Sequence, residues 1–249
     1  MQHVAERNGL GLSPSALLTF EQSISIRMNP DGSVFIGDDG KPSYHAPGHG
    51  DFFACIKRSG VLDELRKRGV TTVLFSNVDN LGATIDPVLI GHHIASKADM
   101  SAEVAEKRIT ASGKWDVGAS PVKIDGRVQL VEGFRLPPDL SPEKFPNLST
   151  NNFIFSVDAL ARDIPMARYV VEKKVDGKPA LQLESITCEA SGVLGRDGRP
   201  LFQLNVLQVP RDEGVHGRFF PIKEPVDLDA NRQSLADRLS KGWAARDDA

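Results

Sequence analysis

Cysteine is scarce: Cys55 and Cys188 are the only two in 249 residues. They lie far apart with no CxxC spacing, which excludes a disulfide framework and a dithiol or zinc-ribbon signature. The expectation is two reduced, buried thiols packing as small hydrophobes. Long apolar runs are missing too, and none approaches the roughly 18 residues that read as a membrane helix. The first eight residues, Met1-Gln2-His3-Val4-Ala5-Glu6-Arg7-Asn8, lack the apolar core of a secretory leader. There is no excess of positive charge. The formal net charge is −3, which gives no reason to expect nucleic acid or an anionic membrane as a partner. Repeats and low-complexity tracts are absent. At 40% hydrophobic and 25% charged residues, the chain has an ordinary globular balance. It is expected to be soluble and cytoplasmic, with length for one large domain or two small ones.

The most informative stretch that is present is Val70-Thr71-Thr72-Val73-Leu74-Phe75-Ser76-Asn77-Val78-Asp79-Asn80-Leu81-Gly82. A short apolar run ending in amides, a carboxylate and a glycine suits a strand buried on both faces of a parallel sheet. Polar groups where such a strand ends lie in the crevice in which open α/β sheets bind ligands. Asp79 there suits a divalent cation, and Asn77 and Asn80 suit a polar ligand. The same residues also suit a plain turn.

Around it, the first half alternates extended and helical patterns. Leu17 to Met28 reads as extended, and Val34-Phe35-Ile36 as a short strand between Asp-Gly turns. A helical pattern runs from Phe52 past Ser59-Gly60 to Leu65. Asp51 is expected as its N-cap, and Lys67-Arg68-Gly69 marks its end. Asp86-Pro87 caps a second helix. In the second half, Asp125-Gly126 and Asp176-Gly177 mark two antiparallel hairpins. The tail from Asp229 is helix-like. The reading is a mixed α/β domain with antiparallel additions.

Several clusters suggest chemistry, each with a plainer alternative. Pro47-Gly48-His49-Gly50-Asp51 allows close approach of a ligand to backbone, or is a glycine-rich loop with an exposed histidine. Ser149-Thr150-Asn151-Asn152 sits before the apolar run Phe153-Ile154-Phe155. Its amides suit sugar hydroxyls or an Asx turn at a strand start. Lys223, after Phe219-Phe220-Pro221-Ile222, can neutralise a phosphate or be a solvated lysine. His92 and His93 diverge by about a third of a helical turn and make a poor metal pair, so they read as structural.

Taken in order, these segments resemble the UTP–glucose-1-phosphate uridylyltransferase family. The match runs through Phe20-Glu21-Gln22, Pro47 to Asp51, Ser76 to Ala83, Leu130-Val131-Glu132, Thr150-Asn151-Asn152, Leu181 to Glu184 and Phe220 to Lys223. It covers roughly residues 18–228. The resemblance implies a Rossmann-like nucleotidyltransferase core with a mixed, mainly parallel sheet and hairpin additions. Residues 1–17 form an N-terminal segment, 18–228 a partial catalytic domain, and 229–249 a helical tail.

The implied reaction is attack of a sugar 1-phosphate on the α-phosphorus of UTP, giving a UDP-sugar and pyrophosphate with Mg²⁺. By the same resemblance, Gln22 and Gly48 touch uracil, and His49 lies near the sugar phosphate. Asp79 ligates Mg²⁺ and contacts the nucleotide, with Asn77 on the nucleotide or sugar, in a cleft with His49 and Lys223 in its walls. Glu132, Asn151 and Asn152 hold sugar hydroxyls, and Lys223 neutralises phosphate charge. Asp79 and Lys223 are thus the expected catalytic pair.

Two departures qualify these implications. The family's first strand and its glycine-rich loop with a basic residue are not matched: Gly9-Leu10-Gly11-Leu12 has no strand before it and no cation in it. The expected Lys-Gly-Gly segment is altered to Gly113-Lys114-Trp115-Asp116. The chain is therefore expected to lack the first strand and to be truncated or split, with the missing loop on a separate chain and little activity alone. The alternatives are a non-catalytic UDP-sugar or sugar-phosphate binding remnant and a UDP-N-acetylhexosamine pyrophosphorylase-like enzyme.

Overall fold

The structure is a computed structural model, and it describes residues 12–241 apart from 110–112, 114, 138, 142–143 and 212–215. The strands are β1 (Ser25–Ile26), β2 (Tyr44–His45), β3 (Thr72–Phe75), β4 (Met100–Glu106) and β5 (Ser120–Ile124). They continue with β6 (Arg127–Val131), β7 (Asn147–Ser156), β8 (Tyr169–Val175), β9 (Lys178–Glu184) and β10 (Leu204–Gln208). The helices are α1 (Phe52–Arg58), α2 (Val61–Lys67), α3 (Pro87–Ala95), α4 (Val157–Leu160) and α5 (Pro225–Lys241). Among the described residues, no helix is long and apolar enough to cross a membrane. The chain divides into two compact units, Met1–Val70 with Arg168–Ser185, and Thr71–Ala167 with Ile186–Ala249.

In the first unit, β8 and β9 form the expected hairpin, with Asp176 and Gly177 both at positive φ in its turn. Two positive-φ residues are what a two-residue hairpin turn of the right twist requires. Leu181 of β9 bridges Met28. The segment around Val34 and Ile36 makes only isolated bridges, to Met28 and Pro42, so it is not the strand its residues suggest. The helical pattern breaks into α1 and α2 at Gly60, where φ is 77°. Gly69, at φ 71°, ends α2 after Arg66 and Lys67 as expected.

Asp51 does not cap α1. Its backbone is already helical and its side chain makes no cap bond. Its Oδ2 accepts instead from the Ser23 amide at 2.7 Å and the Cys55 thiol at 2.9 Å. The carboxylate thus ties the distant Ser23 segment to a side chain of α1 instead of capping the helix amides.

The second unit is built on a mixed sheet in the order β10-β4-β7-β3. β4 and β10 are parallel, and β7 runs antiparallel to both β4 and β3. Three strands thus share one direction with a single reversed strand among them. The doubly buried strand is β4, which is buried from Met100 to Ala105. β3 is only half-buried and sits at the edge of this described sheet, contrary to its apolar composition. A ring series, Phe75–Phe153–Phe155–Phe202, with successive centroids 5.9, 5.9 and 6.3 Å apart, runs from β3 through the core. Such spacings favour tilted and edge-on packing over face-to-face stacking.

The expected hairpin at Asp125-Gly126 joins β5 to β6. Asp86 caps α3 by accepting from the Val88 amide at 3.0 Å, with Pro87 in the first turn. The buried His93 ring meets the hydroxyls of Ser101 and Ser156 at 2.8 and 3.1 Å, which suits its structural reading. Both cysteines are free and buried.

Candidate functional site

In the second unit, the loop after β3 is held by a segment far along the chain. Leu81 donates its amide to Phe220 O at 3.2 Å, and the Ile222 amide donates to Asp79 O at 2.9 Å. Lys223 directly follows Ile222, so Asp79 and Lys223 ride on two paired stretches of backbone. Lys223 is exposed and Asp79 half-buried. Gly82 permits the pairing: a Cβ there would lie 2.7 Å from Arg218 C and O.

The Thr150-Asn151-Asn152 amides are not at a strand start. They form a β-bulge in the middle of β7: Ser149 pairs with Val104 and Phe153 with Ala102, leaving three residues opposite Glu103. Asn151 takes φ 58° there. Asn tolerates that left-handed conformation better than most residues, and a bulge re-aims side chains. The Asn151 Nδ2 donates to Asn77 Oδ1. The structure therefore brings Asn77, Asp79, Asn151 and Lys223 to one end of β3 and its pairing segment.

Asn152 corrects the expectation that both amides face a ligand. It is 0% exposed, and its amide is committed to Asn80 at 3.5 Å and Glu103 at 3.4 Å. Asn80 is likewise interior rather than ligand-facing. Its Oδ1 accepts from the Gly82 and Phe220 amides at 3.2 and 2.8 Å, and its Nδ2 donates to Arg218 O at 3.1 Å. The Arg218 guanidinium makes a fork to Glu103 with two 2.7 Å bonds, reaches Asp86 at 3.4 Å and donates to Thr84 O at 3.0 Å. Sequence reasoning missed Glu103 and Arg218. The available signal was a lone charge within one apolar run, Glu103, and a charge at the start of another, Arg218 before Phe219-Phe220, since charges are rarely fully buried unless paired.

Glu132 is half-buried beyond β6 and accepts from the Cys188 thiol at 3.7 Å. Burial raises its pKa, the Cys188 hydrogen bond opposes part of that rise, and the nearby Glu189 carboxylate adds to it against smaller effects from the Gly133 amide and Lys107. Glu189 is paired with Arg135. Burial also pushes the Cys188 thiol well above its usual range, so it is inert as a nucleophile. Lys107 is lowered by its burial, against the pull of Asp116 and Glu132.

In the first unit, the Gln22 Nε2 donates to Gly48 O. Gly48 sits at φ 84°, ψ 164°, a region essentially closed to other residues. A Cβ there would also meet Ser185 O at 2.3 Å. The close approach is fixed by Ser185, whose amide donates to Pro47 O at 2.8 Å and whose carbonyl accepts from Gly50 at 2.9 Å. His49 follows, in the single 3-10 turn His49–Asp51, with its side chain exposed. Crowding by protein atoms lowers its pKa, and Glu184 offsets part of that shift. Lys114 and residues 9–11 lie outside the described residues.

For Mg²⁺, the donor chemistry is the test. Among the described residues, no group of three or more His, Cys, Asp or Glu side chains could hold a metal. Mg²⁺ usually takes one or two carboxylates and completes its shell with water and substrate phosphates. Asp79 alone therefore fits a metal that arrives with a nucleotide, and not a resident protein cage.

The profile described as UTP--glucose-1-phosphate uridylyltransferase matches residues 10–241. The chain belongs to this uridylyltransferase family. A curated relative from Pyrus pyrifolia, UTP--glucose-1-phosphate uridylyltransferase, is 34% identical over 86% of this chain and 44% of its own length. The Saccharomyces cerevisiae protein of the same description is 31% identical over 84% of this chain and 42% of its own length. The chain thus spans less than half the length of these uridylyltransferases. The fold agrees: a crystal structure of UDP-glucose phosphorylase from Trypanosoma brucei superposes with TM-score 0.76 at 22% identity, over 93% of this chain and 52% of that one.

Proposed function

We propose that the protein serves uridylyl transfer, in which a glucose 1-phosphate oxygen attacks the α-phosphorus of UTP and pyrophosphate leaves, forming UDP-glucose. The observation that carries this reading is the backbone pairing that sets Asp79 beside the Ile222-Lys223 segment, with Asn77 and Asn151 joined alongside. Transfer of this kind asks a protein for alignment and for compensation of negative charge rather than for a side-chain nucleophile. Lys223 supplies a mobile cation for phosphate oxygens. Asn77 and Asn151 offer amide donors and acceptors to ribose or sugar hydroxyls, and Glu132 a carboxyl for a sugar hydroxyl. Asp79 holds Mg²⁺, which when bound neutralises phosphate charge and orients the phosphate chain. Within the first unit, Gln22 and the Gly48 backbone offer polar groups suited to a base edge. His49 offers a ring N–H to a phosphate oxygen.

Glucose is the sugar proposed, because the relatives above 30% identity carry that sugar in their descriptions. A reducing cytoplasmic setting suits two free buried thiols. The test is Mg²⁺-dependent release of pyrophosphate from UTP and glucose 1-phosphate, with UDP-glucose binding measured in parallel. Asp79→Ala and Lys223→Ala are each expected to lower turnover by about 10²-fold. Binding without turnover narrows the function to UDP-sugar capture. Absence of both overturns the reading.

A further inference from the structure

The pairing between the Asp79 loop and the Lys223 segment has no sheet to hold it. It amounts to one isolated bridge, Asn80 to Pro221, made by the two amide bonds of Leu81 and Ile222. What surrounds it is a fully buried polar cluster in which Asn80, Asn152, Glu103 and Arg218 are each no more than 4% exposed. A buried ion pair is poor at adding stability over apolar packing, so four such residues in one place call for a positional role.

The contacts show what is positioned. Asn80 follows Asp79 directly, and its side chain binds three backbone points, the Phe220 amide, the Arg218 carbonyl and the Gly82 amide, besides the Asn152 side chain. Arg218 in turn binds Glu103 on β4, Asp86 at the start of α3 and the Thr84 carbonyl. Asn152 ties Asn80 to Glu103 and so to the β7 bulge that carries Asn151.

We propose that Asn80 and Arg218 are positioning residues that set the offset between the Asp79 carboxylate and the Lys223 ammonium. Neither touches a ligand. Asn80 registers the two backbones against each other, and Arg218 anchors both to the sheet. The inference rests on the reading of Asp79 and Lys223 given above.

The experiment combines amide hydrogen exchange with UDP-glucose titrations, in the presence and absence of Mg²⁺, on wild type and Asn80→Ala. Expected in the variant are faster exchange at Leu81 and Ile222, retained protection in β4 and β7, and loss of about tenfold or more of the affinity gained from Mg²⁺. Asn80→Asp keeps the volume and both accepted bonds but turns the donor toward Arg218 O and Asn152 Oδ1 into an acceptor. It is expected to fold and to show the same changes in smaller measure, so it serves if Asn80→Ala does not fold. Unchanged protection at Leu81 and Ile222, or an unchanged Mg²⁺ gain, overturns the inference. A wild type whose UDP-glucose affinity ignores Mg²⁺ overturns the reading of Asp79 instead, and is told apart because it needs no variant.

Discussion

Asn80 and Phe220, separated by 140 positions in sequence, are joined by a 2.8 Å bond from the Phe220 amide to the Asn80 Oδ1. That bond places the end of one apolar run against the loop that follows another.

Gly82 lies under the same contact. Gly82→Ala would put a methyl group 2.7 Å from the Arg218 backbone and the Phe220 ring. The variant is expected to lose about 1–3 kcal/mol of stability, the usual cost of overpacking, read from urea midpoints. It should also weaken UDP-glucose binding, because the loop must move to admit the methyl.

Arg218→Met leaves Glu103 and Asp86 buried beside an uncharged side chain. Removing one partner of a buried pair costs about 3–5 kcal/mol, so a large drop in midpoint is expected. Arg68→Ala, which breaks the exposed pair with Glu64, is the control and should cost less than about 1 kcal/mol.

Gly48→Ala suffers two penalties at once, a strained φ and a 2.3 Å approach to Ser185 O. A strained backbone alone costs about 1–3 kcal/mol, and the clash forces the Pro47–Ser185 contact open. Loss of amide protection at Gly50 and Ser185, with the β4–β7 amides unaffected, is the expected result.

Glu132 gives a pH signature. Its pKa is raised in the folded protein, first by burial, so the folded state holds that proton more tightly than the unfolded chain does. The stability it contributes is present below the unfolded carboxylate range and is lost as pH rises through the folded value. Glu132→Gln removes that loss. Melting curves should show the variant gaining on wild type as pH rises from the acid side toward neutrality, and a constant difference would contradict the shift.

Much of this was legible in the sequence, and the failures have physical causes. Turn chemistry carried well: Asp125-Gly126, Asp176-Gly177 and Gly69 all take positive φ where the chain turns or a helix ends, whereas Gly60 breaks a helix that the apolar pattern reads as continuous. Asp86-Pro87 reads correctly because cap and first turn are local. Asp51 misled because its carboxylate serves Ser23, 28 residues away, and no local pattern encodes that. Apolar content placed β3 in the sheet but not at its edge, since periodicity reports burial and not neighbours. The amides were visible as a group. Which of them point inward was not, because one bulge in β7 separates Asn151 from the wholly buried Asn152. Arg218 and Glu103 needed the fold, since their partners are brought together only by pairing at long range.

The most direct measurement is calorimetric titration of UDP-glucose into the protein with and without Mg²⁺, repeated for Asp79→Ala and Lys223→Ala. Binding strengthened by Mg²⁺ in the wild type is predicted, with that gain lost in Asp79→Ala and overall affinity weakened in Lys223→Ala. An Asp79→Ala protein that binds UDP-glucose as wild type does, with the same response to Mg²⁺, would contradict the account.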